Sequence, residues 1–188
     1  DEHIYQFVSV YEKTVTIPKE LKGKLLFLTF EGAAHKADVF VNGEPVMSHQ
    51  NGYTAFKADI SSFVKWGKEN TIKVVLDSRE TLNVPPFGHV IDYLTYGGIY
   101  RDVNIVCVSE SHFDLDYFGG KGLKITPTVE GSDVQILVET YVTAMGEQHK
   151  LRYTITDRDG KNVVVHETDG QRVNFKMKNV HLWQGRKD

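Results

Sequence analysis

Two runs in the last third of the chain alternate apolar and polar residues with a period of two. Leu151, Tyr153 and Ile155 interleave with Arg152, Thr154 and Thr156, and Val173, Phe175 and Met177 with Asn174, Lys176 and Lys178. Successive side chains of an extended strand point to opposite faces, so such a run buries one face and wets the other, whereas a helix would scatter the same apolar residues around its circumference. Similar alternations or short apolar runs bounded by turn residues occur at 8–17, 24–30, 37–41, 45–48, 71–77, 103–108, 123–129, 134–143 and 162–168. The chain is therefore expected to be all-β.

Turn chemistry supports that expectation. Asn42-Gly43 separates 38–41 from 44–47, and Asp159-Gly160 separates 153–157 from 162–165. Both dipeptides tolerate the positive φ that a tight type I′ hairpin demands. The one helical candidate is a short turn at 61–65, closed by Gly67.

With 188 residues, 40% of them hydrophobic and 25% charged, the chain is long enough for one large or two small globular domains with real cores. A boundary is expected near residue 110. Residues 1–110 read as a jelly-roll-like β-sandwich interrupted by one long loop, 78–96, which carries Pro85-Pro86. Residues 111–188 carry evenly spaced strands with tight turns, as in an immunoglobulin-like sandwich. They contain five such runs, where that fold needs about seven strands in about 100 residues, so the second domain is expected to be incomplete.

The net charge of −3 and the absence of a Lys/Arg-rich run argue against nucleic acid or an anionic membrane surface as partner. No stretch of about 18 apolar residues suggests a membrane span. The opening Asp1-Glu2-His3 has neither a basic start nor an apolar run behind it, which reads as a processed or engineered end without a signal peptide in view. Cys107 is the sole cysteine, which rules out an intrachain disulfide and a cysteine-based zinc site. Lying in the apolar run 103–108, it is expected to be a small buried hydrophobe.

The segment richest in chemistry is Asp92-Tyr-Leu-Thr-Tyr-Gly-Gly-Ile-Tyr-Arg-Asp-Val103. A carboxylate can hold the vicinal hydroxyls of a pyranose with two charge-assisted hydrogen bonds, and aromatic rings pack on the sugar's C–H faces. Asp92 offers the first; Tyr93, Tyr96 and Tyr100 offer the second. Gly97 and Gly98 allow positive φ or a close approach of another backbone. Residue types alone favour a solvated loop carboxylate beside core tyrosines and a glycine turn, with the sugar site as the alternative.

Other constellations carry less. Asp157-Arg158-Asp159-Gly160 starts like a calcium loop, but the twelfth position is Thr168, which supplies no bidentate carboxylate, so a hairpin turn is expected. No histidine pair has metal-ligand spacing, and His35 and His49 read as structural or surface residues. Gly119-Gly120-Lys121-Gly122 lacks the phosphate-loop pattern and reads as a flexible link between domains. Arg101 and Asp102, as neighbours on a strand, would point to opposite faces and form structural ion pairs. No metal site and no cofactor are expected.

Several motifs fall in order along the first domain: Phe30-Glu31-Gly32-Ala33, Val39-Phe40-Val41-Asn42-Gly43, His49-Gln50-Asn51-Gly52-Tyr53-Thr54-Ala55-Phe56, Asp59-Ile60-Ser61, 67–77, and Gly97-Gly98-Ile99-Tyr100-Arg101-Asp102-Val103. The series resembles the sugar-binding domain of glycoside hydrolase family 2, bacterial β-galactosidases most of all. Gly122-Leu123-Lys124-Ile125-Thr126-Pro127 and Val180-His181-Leu182-Trp183 are similar to the immunoglobulin-like domain that follows it. Asn51-Gly52 stands where relatives often have Gly-Gly, a change that asparagine's tolerance of positive φ would excuse.

The resemblance implies a galactose-binding-domain-like first sandwich and a role for one residue. In this family an aspartate seven residues ahead of the isoleucine of the Gly-Gly-Ile-Tyr-Arg-like motif reaches the active site of a neighbouring barrel and binds hydroxyls of the terminal sugar; here that residue is Asp92. Its role would be binding and orientation. The family's two catalytic glutamates, about 5 Å apart in retaining enzymes, belong to the barrel, and the Asn-Glu dipeptide of the acid/base occurs nowhere in this chain. The resemblance thus implies an amino-terminal fragment without catalytic residues of its own, inactive alone. Its partners would be a carboxy-terminal barrel of the same protein and a terminal β-galactoside. β-Glucuronidase and β-mannosidase are the alternatives within the family, and a non-catalytic carbohydrate-binding or structural sandwich the alternative outside it. Homo-oligomerisation, and bacterial cytoplasm against periplasm, stay open.

Overall fold

The computed structural model describes residues 5–85, 87, 95–117 and 120–187. The chain divides into two compact units, Asp1–Ser109 and Glu110–Asp188.

The first unit contains strands β1 (Val8–Thr16), β2 (Leu25–Phe30), β3 (Ala33–Ala34), β4 (Lys36–Val41), β5 (Glu44–Gln50), β6 (Phe56–Asp59), β7 (Glu69–Asp77), β8 (Gly98–Ile99) and β9 (Val103–Val108). They form a four-stranded sheet in the order β1-β7-β4-β5, a three-stranded sheet β6-β2-β9 and a two-stranded ribbon β3-β8. Burial follows the alternation: every second residue of β2 and of β4 is buried. Leu26, Leu28 and Phe30 of β2 join Phe56 and Ala58 of β6, and these meet Ala37, Val39, Val41, Val74 and Leu76 of the other sheet in one core. That is a β-sandwich. Burying the side chain of a single such leucine contributes about 2 kcal/mol.

Asn42 and Gly43 turn β4 into β5 with φ of 54° and 92°, as the dipeptide predicts. The Asn42 side chain does more than turn. Its Nδ2 donates to the Phe63 carbonyl and to Asn70 Oδ1, both at 2.8 Å, and its Oδ1 accepts from Thr71 N at 3.1 Å. Asn70 is 1% exposed and fully engaged: Oδ1 also accepts from Lys65 N at 2.6 Å, while Nδ2 donates to the carbonyls of Lys65 and Lys68 at 3.0 and 2.9 Å. A buried amide so satisfied fixes the 61–68 segment as turns, with Gly67 at φ 72°, where a helical turn was the expectation.

The second unit contains β10 (His112–Phe113), β11 (Leu123–Glu130), β12 (Asp133–Thr140), β13 (Val142–Thr143), β14 (Leu151–Thr156), β15 (Asn162–Thr168) and β16 (Arg172–Met177). Its sheets are β11-β12-β16, β14-β15 and β10-β13. The five expected runs are all present; 134–143 divides at Tyr141, and β10 adds a short strand to pair with β13. The β14-β15 hairpin packs its inner face on the three-stranded sheet, with the Tyr153 and His166 rings each 6.0 Å from that of Phe175. The turn between them is the expected hairpin: Asp157 Oδ1 accepts from Asp159 N and Lys161 N at 3.0 and 2.9 Å, and Gly160 has φ 80°.

Three expectations are corrected. Cys107 is exposed: it pairs with the buried Leu26 and shares its face, but β9 is the outer strand of its sheet and nothing among the described residues covers it there. Gly122 is no flexible link, since it lies inside the second unit at φ 67°, and a Cβ on it would stand 2.7 to 2.8 Å from the backbones of Asp114 and Tyr141. Arg101 and Asp102 precede β9, so strand alternation does not govern their side chains.

Candidate functional site

Ser78 follows β7 and Gly97 precedes β8, so the two stand at the base of the long loop. β8 pairs with β3, Ala33 opposite Ile99 and Ala34 opposite Gly98, and this ribbon carries the chain back to the sandwich. Gly98 takes φ 95°, and Gly97 packs so tightly that a Cβ on it would fall 2.6 Å from Ser78 Cβ. The glycine pair thus does both things that its lack of side chains permits, one at each position. Ser78 itself is tied down from the other side, where its Oγ donates to the Phe7 carbonyl at 2.8 Å.

Above this base the two stems are linked again. Thr95 Oγ1 donates to Glu80 Oε1 at 3.4 Å, and Glu80 N donates to Gln6 Oε1 at 3.3 Å. Gly52, buried, then bridges both stems through its own peptide groups. Its N–H donates to the Pro85 carbonyl at 2.8 Å, and its carbonyl accepts from the Tyr100 hydroxyl. Asn51 shapes this segment through its side chain, Oδ1 accepting from Tyr53 N and Thr54 N at 2.9 and 3.3 Å. The expected positive φ does not occur at Asn51. His49 completes the wall, its ring stacked on Phe56 at 4.3 Å and its Nε2 2.9 Å from Thr54 Oγ1. Burial pushes its pKa down.

Arg101 holds the same corner. Its Nη1 donates to the carbonyls of Glu31 and Tyr53, both at 3.3 Å, and its guanidinium sits 5.2 Å from the centre of the Tyr100 ring. These partners stand where ion pairs were expected. Gly32 makes room for them, since a Cβ there would come within 3.0 Å of the Tyr100 hydroxyl and 3.1 Å of Arg101 Cδ.

Two titratable groups flank the base. Asp77 accepts from Arg79 Nε and Nη2 at 2.8 and 2.6 Å, and this bidentate bond is the main reason its carboxyl is held down at about 2. His35, 2% exposed, donates its backbone N–H to the Asp77 carbonyl at 2.9 Å, while its Nδ1 has no partner among the described residues. Burial lowers its pKa, against the opposing pull of Glu80 and Asp77.

Asp92 and Tyr93 lie outside the described residues. Of the other two tyrosines, Tyr96 is 80% exposed and Tyr100 36% exposed, and Tyr100 spends its hydroxyl on Gly52. Sequence reasoning missed Gly52, Gly32 and Ser78 as parts of this corner. No local pattern marks them, because their contacts join segments far apart in the chain. Among the described residues no cluster of histidine, cysteine, aspartate or glutamate is arranged to hold a metal ion, and no helix is long and apolar enough to cross a membrane.

Residues 3–108 match the family model described as "Glycosyl hydrolases family 2, sugar binding domain". A β-galactosidase of Thermoanaerobacter pseudethanolicus is 40% identical over 141 residues, covering 71% of this chain and 19% of the relative. A β-glucuronidase of Bacteroides fragilis is 32% identical over 176 residues, covering 93% and 24%. A crystal structure of a protein from Bacteroides fragilis superposes with a TM-score of 0.87 at 34% identity, covering 98% of this chain and 29% of its own. The chain spans less than a quarter of these curated relatives' length.

Proposed function

This chain belongs to glycosyl hydrolase family 2, and from that premise we propose that it is the sugar-binding, non-catalytic part of a retaining exo-glycosidase that removes terminal β-D-galactose. The observation that carries the galactoside reading is the 40% identity to a β-galactosidase. In this reading Asp92 binds hydroxyls of the terminal sugar and forms one wall of a site whose two catalytic glutamates come from a barrel elsewhere in the same polypeptide. The braced corner of Gly52, Tyr100 and Arg101 gives the segment that carries Asp92 two fixed ends. A β-glucuronidase is the second reading, favoured by the 32% identity that extends over 93% of this chain.

The test is a panel of 4-nitrophenyl β-galactoside, β-glucuronide and β-mannoside offered to the full-length protein. Fastest turnover on the galactoside supports the first reading, and fastest turnover on the glucuronide replaces it with the second. Asp92→Ala is expected to lower kcat/KM on the preferred substrate about 100-fold or more, the scale of losing charge-assisted bonds to substrate hydroxyls. Unchanged kinetics in that variant would remove Asp92 from the site. The isolated chain is expected to show no heat of binding with free sugar, because one wall does not enclose a ligand.

A further inference from the structure

We propose that β9 takes a further β-strand on its open edge, supplied by the same polypeptide outside residues 1–188. The inference shares with the reading above only the premise that the chain is part of a longer protein. It needs neither Asp92 nor the identity of the sugar.

The two main sheets of the first unit are unequal, β1-β7-β4-β5 against β6-β2-β9. They close on one side, where the His49 ring of β5 stacks on Phe56 of β6 at 4.3 Å. Counting from that side sets β4 over β2 and β7 over β9, which leaves β1 with no strand opposite it. Side chains at this end show the gap. Val103, Ile105 and Cys107 of β9 pair with Phe30, Leu28 and Leu26, none of them more than 1% exposed, and cross-strand pairs point to the same face. Yet Val103 is 41% exposed, and Cys107 is exposed. Tyr11 of β1, paired with the buried Val74, is 40% exposed on its own inner side. One strand beside β9 and opposite β1 would cover all of them.

An open edge is a template for pairing, so proteins defend it with charge, proline or a bulge. Three of the four outer strands here are defended. β1 carries Glu12 and Lys13, β6 carries Lys57 and Asp59, and β5 carries Glu44 and Pro45 beside a bulge at Val39/Phe40. β9 reads Val103-Asn-Ile-Val-Cys-Val108, keeps an unbroken register with β2 and has none of these devices. It has the composition of an interior strand.

The occupant is a single extended segment, apolar at every second position toward the core and hydrogen-bonded along β9. A second copy of the chain does not fit: were two β9 strands to pair about a two-fold axis, the copy's β7 would fall where β1 already lies. The same polypeptide has length to supply it, since this chain accounts for 19% and 24% of the β-galactosidase and β-glucuronidase it matches.

Cys107 reports on the slot. N-ethylmaleimide labelling is followed by peptide mass spectrometry, beside hydrogen exchange of peptide 103–108, on the native full-length protein and on the 188-residue chain. In the full-length protein Cys107 is expected to react at least about 100-fold more slowly than in the chain, as buried thiols do, and every β9 amide to exchange slowly. In the chain the amides that point away from β2 should exchange fast. A thiol equally reactive in both overturns the inference. So does one equally protected in both, because residues 1–188 would then cover it themselves. A protected thiol beside fast-exchanging outward amides puts a domain surface there in place of a strand, and protection lost on dilution puts a second copy there; either overturns it. Should the chain not fold alone, the full-length protein carrying photoreactive p-benzoylphenylalanine in place of Tyr11 decides: a cross-link outside residues 1–188 of the same polypeptide is expected, and one within them, to another polypeptide, or none, overturns the inference. Glycoside turnover enters none of these readouts, so either proposal can fail without the other.

Discussion

Gly97 lies against Ser78 at a distance that excludes any side chain: a β carbon on the glycine would stand 2.6 Å from that of the serine. This contact closes the base of the loop that carries Asp92. Gly97→Ala forces the stems apart or bends the β3-β8 ribbon, and overpacking of this kind costs about 1–3 kcal/mol. Urea denaturation of the chain should show a lower midpoint with an unchanged slope. A midpoint equal to wild type would mean the stems are free to separate at that point.

Asn70→Ala is expected to be among the more damaging single changes in the first unit. It strips partners from the Asn42 amide and from the backbone of Lys65 and Lys68 while leaving those groups in place. Loss of a satisfied buried network of this size should cost about 3 kcal/mol, read from the same denaturation curves. Asn70→Asp, which keeps the acceptor and loses the donor, should fall between the two.

Arg79→Ala should raise the Asp77 pKa from about 2 toward the ordinary 3.8, followed by NMR titration of the carboxyl. A depressed carboxyl pKa in the folded state stabilises it fully above pH about 4. That contribution fades as pH falls toward about 2. Wild type and variant should therefore differ in stability near neutrality and converge in strong acid; a gap that stays constant through that window would assign the effect to packing of the arginine stem.

His35 acts in the same direction in a higher pH window. Its imidazole is buried, with one nitrogen lacking a partner among the described residues, and its folded pKa is lowered from 6.5, so below that pH the unfolded chain takes up a proton that the folded chain refuses. Relative to His35→Leu, wild type should lose up to about 1.4 kcal/mol per pH unit as pH drops below about 6.5, until the folded imidazole itself titrates. Parallel stability–pH curves for the two proteins would show that His35 gains its proton as freely folded as unfolded.

Local pattern reported most of the strands, because a period of two is a property of neighbours along the chain. Coverage is a property of what lies across from a residue, and it was not legible. Cys107 and Leu123 show the difference. Cys107 faces the same way as buried Leu26 and Leu123 the same way as buried Thr140, yet both are exposed because their strands lie at sheet edges. The glycine pair was legible in kind, since close approach and positive φ are the two uses of a missing side chain, though not in which glycine serves which. Asn51 was misread because its side chain, and not its φ, makes the turn. Gly52, the residue on which the candidate corner converges, carries no side chain to advertise its role.

The bridge at Gly52 has a thermodynamic side. Measured from the Ser78–Gly97 contact, the loop runs over 79–96; measured from the pins at Pro85 and Thr95, it runs over 86–94, half as long. Halving a loop removes roughly 0.6 kcal/mol of closure entropy. Folding of the first unit has already absorbed that part of the closure cost.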